Sequence, residues 1–172
     1  ALSQWAARLW NPLRYCAWDE INPYIIPVPE RIGGRPVLFY FPAIDAMGWN
    51  ESRRNIEKAA KAIAYLDEAC RERNIRLVVV LIPDKEQVYR EHIPARYLPL
   101  PPSCLIALEK SLDRKEIVAV NLLPAFRERA AAGELLYWGD DTHWNPEGIR
   151  LAAEVVWDRI AELVDTNTQT EL

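Results

Sequence analysis

The chain has 172 residues, half of them apolar, and a formal net charge of -4. That length supports one domain with a real core, and the composition excludes a disordered chain. No Lys/Arg-rich stripe points to nucleic acid, and no apolar run reaches membrane-spanning length.

Residues 1–32 form a Trp- and Pro-rich N-terminal segment, with Trp5, Trp10 and Trp18 ahead of Pro23, Pro27 and Pro29. Leu2, Trp5, Ala6, Leu9 and Trp10 fall on one side of an amphipathic helix. The later part must be extended, because prolines deny a helix and restrict their neighbours. This segment is expected to wrap the domain, or to be the stem below a membrane anchor lying upstream of Ala1.

Residues 33–164 read as one α/β domain. Gly33-Gly34 marks a turn, and residues 37–41 a short strand. Pro42 to Trp49 is a loop, and Asn50 or Ser52 caps a helix. That helix buries Ile56, Ala59, Ala60, Ile63, Leu66 and Cys70, and stops near Asn74. Leu77 to Ile82 is an unbroken apolar run, as in a central parallel strand covered on both faces. It ends at Pro83-Asp84-Lys85, a charged pair where a parallel sheet presents ligands, though a solvated turn reads equally well. Glu86 to Tyr89 opens a short helical segment, and residues 94–102 form a proline-studded loop. Ser103 caps a helix running to about Asp113. Residues 117–120 are a strand, Leu122 to Ala131 a helix ended by Gly133, and residues 135–138 a further strand.

Gly139 to Gly148 then forms a polar loop feeding the last helix. Asn145 is its N-cap, Pro146 sits at N1, and Glu147 suits the positive helix end. Ile149, Ala152, Ala153, Val156, Ile160, Leu163 and Val164 make the buried face. Residues 165–172 read as a polar tail. The βα alternation implies a three-layer α/β sandwich with a mostly parallel central sheet.

The chemistry concentrates in Asp140-Asp141-Thr142-His143. His143 is one of two histidines. A carboxylate two or three residues before it can hold the ring in one tautomer and stabilise its protonated form. A capping loop with an exposed histidine is the competing reading. Cys16, Cys70 and Cys104 form no CxxC pair and the histidines lack metal-ligand spacing, so no metal or cofactor is expected. Cys16 and Cys104 could pair, though no pattern supports a disulfide. The many Trp and Tyr side chains suit a core first and sugar stacking second.

Val37-Leu38-Phe39-Tyr40, the run from Leu77 through Pro83-Asp84-Lys85-Glu86, and Asp141-Thr142-His143-Trp144-Asn145-Pro146-Glu147-Gly148 together resemble the SGNH hydrolase-like domains of the AlgX/AlgJ type. Those are bacterial cell-envelope proteins linked to O-acetylation of exopolysaccharides such as alginate. The resemblance implies that Asp141 and His143 are catalytic, with Asp140 the alternative orienting carboxylate at the Asp-x-x-His spacing of ordinary SGNH esterases. It implies a serine nucleophile in a Gly-Asp-Ser motif downstream of the histidine. This sequence holds no such motif, and Ser3, Ser52, Ser103 and Ser111 all look like caps or helix surface. The expectation is a nucleophile beyond Leu172, or a serine-less relative. On this reading Trp144 and Tyr89 contact sugar and Lys85 meets the carboxylate of an acidic sugar. The partners are a polysaccharide substrate and an acetyl-donor protein of the envelope, and the location is the periplasm or cell envelope. A non-catalytic carbohydrate-binding or assembly module, and a plain SGNH esterase, are the alternatives.

Overall fold

The structure, a computed structural model, describes residues 24–44, 53–97 and 103–170. The expected N-terminal helix, the caps Asn50 and Ser52, and Cys16 lie outside them.

Two strands open the described chain. β1 (Ile25–Ile32) and β2 (Arg35–Tyr40) pair antiparallel across a turn at Gly33 and Gly34, both with positive φ. Two consecutive left-handed residues make the hairpin turn that glycine adopts at least cost. The boundary expected at residues 32/33 therefore falls at the tip of a hairpin. Pro27 and Pro29 keep β1 extended, as read from the sequence, but they cannot donate to the ladder. The register shifts between Pro27 and Arg31, the irregularity that proline demands. Ile26, Ile32, Val37 and Phe39 turn inward, while Leu38 and Tyr40 face out.

Helix α1 (Arg53–Arg71) follows and ends at Asn74, in the left-handed conformation at φ 57°. Ala60 is buried along it, but Leu66 is exposed; the buried position beside it is Asp67, bonded to Arg71 at 2.6 Å. β3 (Val78–Leu81) and β4 (Val118–Asn121) pair in parallel, in register from Val78↔Val118 to Leu81↔Asn121. Between them lie helix α2 (Lys85–Val88) and helix α3 (Cys104–Asp113). Ser103 caps α3 as expected, accepting from Leu105 N at 3.3 Å. Helix α4 (Leu123–Ala131) and helix α5 (Pro146–Thr170) complete the chain.

Alternation along the parallel pair separates two cores. Val79, Leu81 and Ala119 pack with Ala60, Leu112 and Ile117, under α1 and α3. Val78, Val80 and Val120 pack with Tyr89, Phe126, Leu136, Tyr137 and Leu151 on the other face. Helices on both faces of a parallel pair give the expected three-layer α/β arrangement, and the antiparallel ribbon β1–β2 joins the second core. β3 is half-buried along most of its length rather than fully covered, and Ile82 beyond it is exposed.

Residues 135–138 are not a strand. Their hydrogen bonds close on the loop's own return limb, with Trp138 N donating to His143 O and Asn145 N to Leu136 O, both at 3.0 Å. A single bridge, Tyr137 to Trp144, is all the ladder that results. Leu38 N donates to Gly139 O at 2.8 Å and ties this hairpin-like loop to β2.

The last helix is rotated from the expected face. Leu151 and Ala152 are buried and Val155 and Val156 partly so, while Ile149, Ile160 and Val164 face solvent. The cause sits at its first turn. Gly148 lies so close to Leu136 O that a Cβ there would come within 2.2 Å. That contact points Gly148, and with it Leu151, Ala152 and Val155, at the core. The helix also runs to Thr170, where the sequence suggested a tail from residue 165, because no glycine or proline interrupts it. Among the described residues no helix is long and apolar enough to cross a membrane.

Candidate active site

The loop between Trp138 and Asn145 holds the candidate pair Asp141 and His143, and the strip from Pro83 to Tyr89 braces it from beneath. Tyr137 donates its hydroxyl to Pro83 O at 2.6 Å. Tyr89 accepts from Leu136 N at 2.7 Å and donates to Glu134 O at 2.9 Å. Lys85 donates to Trp138 O, Gly139 O and Asp141 O at 2.8, 2.9 and 3.1 Å. Glu86 accepts from Tyr40 N at 2.8 Å and so adds the end of β2 to the same assembly. Burial raises the carboxyl of Glu86, opposed by that bond, and pushes the phenol of Tyr89 up to about 12.

Asn145 closes the loop on the helix side. Its side-chain oxygen accepts from Gly148 N at 3.0 Å, the expected capping bond. Its amide also donates to Leu135 O and, at 3.4 Å, to Tyr137 O. The sequence showed the cap; the donor half of the same side chain, pinning the other limb, depends on the loop doubling back.

Within this frame Asp141 Oδ1 lies 2.6 Å from His143 Nδ1 and also accepts from His143 N at 3.0 Å. The ring is 82% exposed and the carboxylate about half. With Nδ1 donating to the carboxylate, Nε2 is the ring's basic nitrogen. The ring bond, and then the main-chain bond, hold the carboxyl of Asp141 below the usual carboxylate range. A depressed carboxylate keeps its contact above its ordinary pKa and loses it only as pH falls through the lowered value, so the pair is intact at neutrality. The carboxylate in contact is Asp141, not Asp140, whose charge instead acts on Lys85.

Three expected substrate contacts fall elsewhere. Lys85 is 1% exposed with its ammonium spent on three carbonyls, so it braces the loop and does not reach a sugar carboxylate. Tyr89, equally buried, serves the segment from Glu134 to Leu136. Trp144 packs on Phe126 with ring centroids 5.6 Å apart. Trp138 is an exposed aromatic beside the pair, and its main-chain N–H donates to His143 O. The signal for it was weak, since Leu136 and Tyr137 are both buried and only Trp138 turns out. Replacing Tyr89 with Phe strands the buried Leu136 N–H. It should lower stability by about 1–3 kcal/mol, read as a lower urea midpoint at unchanged slope.

Ser103 and Ser111 are buried, the first as a cap; Ser3 and Ser52 lie outside the described residues. His92, the second histidine, pairs with Glu30 at 2.9 Å. Among the described residues no cluster of His, Cys, Asp or Glu could hold a metal ion.

Residues 40–171 match the family described as SGNH hydrolase-like domain, acetyltransferase AlgX. The chain belongs to that family. It is 23% identical over 168 residues to a probable alginate O-acetylase AlgJ of Pseudomonas fluorescens, covering 95% of this chain and 40% of that protein. It thus spans well under half of that relative. Among solved structures it resembles the O-acetyltransferase domain of Pseudomonas putida AlgJ, at TM-score 0.57 and 16% identity, over 83% of this chain and 49% of that one. It also resembles Bacillus cereus PatB1 with a sulfonyl adduct, at TM-score 0.50 and 20% identity, over 62% of this chain and 36% of that one. These neighbours share the α/β fold described above.

Proposed function

We propose that this AlgX-family domain carries the general base of an O-acetyltransferase acting on an exopolysaccharide in the periplasm or cell envelope. The observation that carries the reading is the 2.6 Å contact between Asp141 and an exposed His143 ring. Nε2 of His143 takes the proton from a serine hydroxyl as that oxygen attacks the acetyl carbonyl of a donor, an envelope protein on this reading. Asp141 holds the tautomer and stabilises the imidazolium. The imidazolium returns that proton to the donor's leaving group as the donor C–O bond breaks and the acetyl-serine forms. Neutral His143 then takes the proton of a sugar hydroxyl as that oxygen attacks the acetyl-serine, and passes it to the serine oxygen as the ester bond breaks. The serine is supplied by sequence outside these 172 residues. Two facts favour that source: the described serines are buried, and the chain covers 40% of its AlgJ relative. Trp138 is the aromatic placed to receive a sugar ring.

The test supplies p-nitrophenyl acetate and an oligosaccharide acceptor to the full-length gene product. Acetylated sugar, lost in His143→Ala, is the expected product. Acetate alone, acceptor-independent, would make the protein an esterase. Oligosaccharide binding with no turnover would make it a binding or assembly module.

A further inference from the structure

We infer that Lys85 is the positioning residue of this site: through three main-chain carbonyls its ammonium sets the loop geometry in which Asp141 holds His143. The inference rests on the base proposed above. The residue whose carbonyl the ammonium holds is the residue whose carboxylate holds the imidazole. Lys85 Nζ reaches Asp141 O at 3.1 Å, and Asp141 Oδ1 reaches His143 Nδ1 at 2.6 Å.

Stoichiometry makes this a built site. An ammonium has three protons and no acceptor, and three carbonyls converge on it. The ring of Phe39 lies beneath, 5.7 Å from Nζ. A buried cation without partners is costly, so the peptide planes at 138, 139 and 141 must turn inward around it. That leaves Asp141 to direct its carboxylate outward, toward His143. The compact, rotatable ammonium suits three convergent acceptors, whereas the planar fork of arginine does not. The groups that act on it electrostatically are Glu86, Asp140 and Asp141, which favour its charge. Burial opposes them and brings Lys85 down to about 8. Above that value the neutral amine has two protons for three carbonyls.

With two histidines in the chain, ¹⁵N-histidine NMR reads the consequence directly. In the wild type His143 populates the Nδ1–H tautomer. In Lys85→Met that population falls toward the mixture of a free imidazole, and Lys85→Arg fails to restore it. His92, bonded to Glu30, stays unchanged and reports an intact fold. An unchanged His143 tautomer beside a native His92 signal overturns the inference. Should Lys85→Met not fold, the wild type decides. Raising the pH from neutrality through about 8 should move the Trp138, Gly139 and Asp141 amides together with the His143 ring. Wherever the lysine titrates, amides that shift while the His143 ring tautomer stays fixed overturn it equally. Because the readout is not turnover, coupling without acetyl transfer refutes only the function, and transfer without coupling refutes only the role of Lys85.

Discussion

Gly148→Ala lowers the stability of this protein by about 3 kcal/mol, at the upper end of what overpacking costs. Helix propensity alone predicts the opposite, since alanine is favoured over glycine by up to about 1 kcal/mol inside a helix. The sign of the change is therefore informative. The new Cβ would stand 2.2 Å from Leu136 O, a main-chain atom that cannot rotate away. That same oxygen accepts the Asn145 N–H, so displacing it also weakens the loop's closing bond. For a domain of this size the loss corresponds to a fall of about 6–12 °C in Tm. A calorimetric scan showing unchanged or raised Tm would mean that α5 does not dock on residues 135–137 as described.

His143→Ala is expected to reduce acetyl transfer by about 10²–10⁴-fold, the usual contribution of a positioned base. Asp141→Asn should cost on the order of 10²-fold, because an amide neither fixes the tautomer reliably nor stabilises the imidazolium. Asp140→Asn should leave the rate within about twofold, since that side chain is not the one bonded to the ring. The three rates, measured on the full-length gene product with the same acetyl ester and acceptor, separate the two spacings that the sequence leaves open. A larger loss at Asp140 than at Asp141 would reverse the assignment.

The parts of this fold legible in the sequence are those set by local pattern. The run from Val78 to Leu81, the Ser103 cap, the Asn74 stop and the Gly33-Gly34 turn each rest on residue types whose backbone preference is strong. What could not be read depends on long-range contacts. Residues 135–138 look like a strand, but their polar groups are taken by Tyr89, Asn145 and the return limb. The buried face of α5 is chosen by Gly148 against Leu136, not by hydrophobicity, so the sequence equally supports a stripe through Ile149, Ile160 and Val164 that faces solvent. Lys85 was expected at a sugar carboxylate, and the structure buries it against three main-chain carbonyls. A lysine after a strand reads as a ligand contact, and only the inward-turned carbonyls show it to be a brace. For the same reason the loop's curl, not its composition, turns Trp138 to solvent and packs Trp144 on Phe126.

Trapping an acetyl-enzyme tests directly whether His143 activates a serine nucleophile. The full-length gene product is incubated with an acetyl ester without acceptor, quenched in acid and analysed by peptide mass spectrometry. One acetyl group on a serine outside the 172 residues, present in the wild type and absent in His143→Ala, is the result expected here. Acetylation of Ser3, Ser52, Ser103 or Ser111, or an adduct that forms equally well without His143, would contradict it.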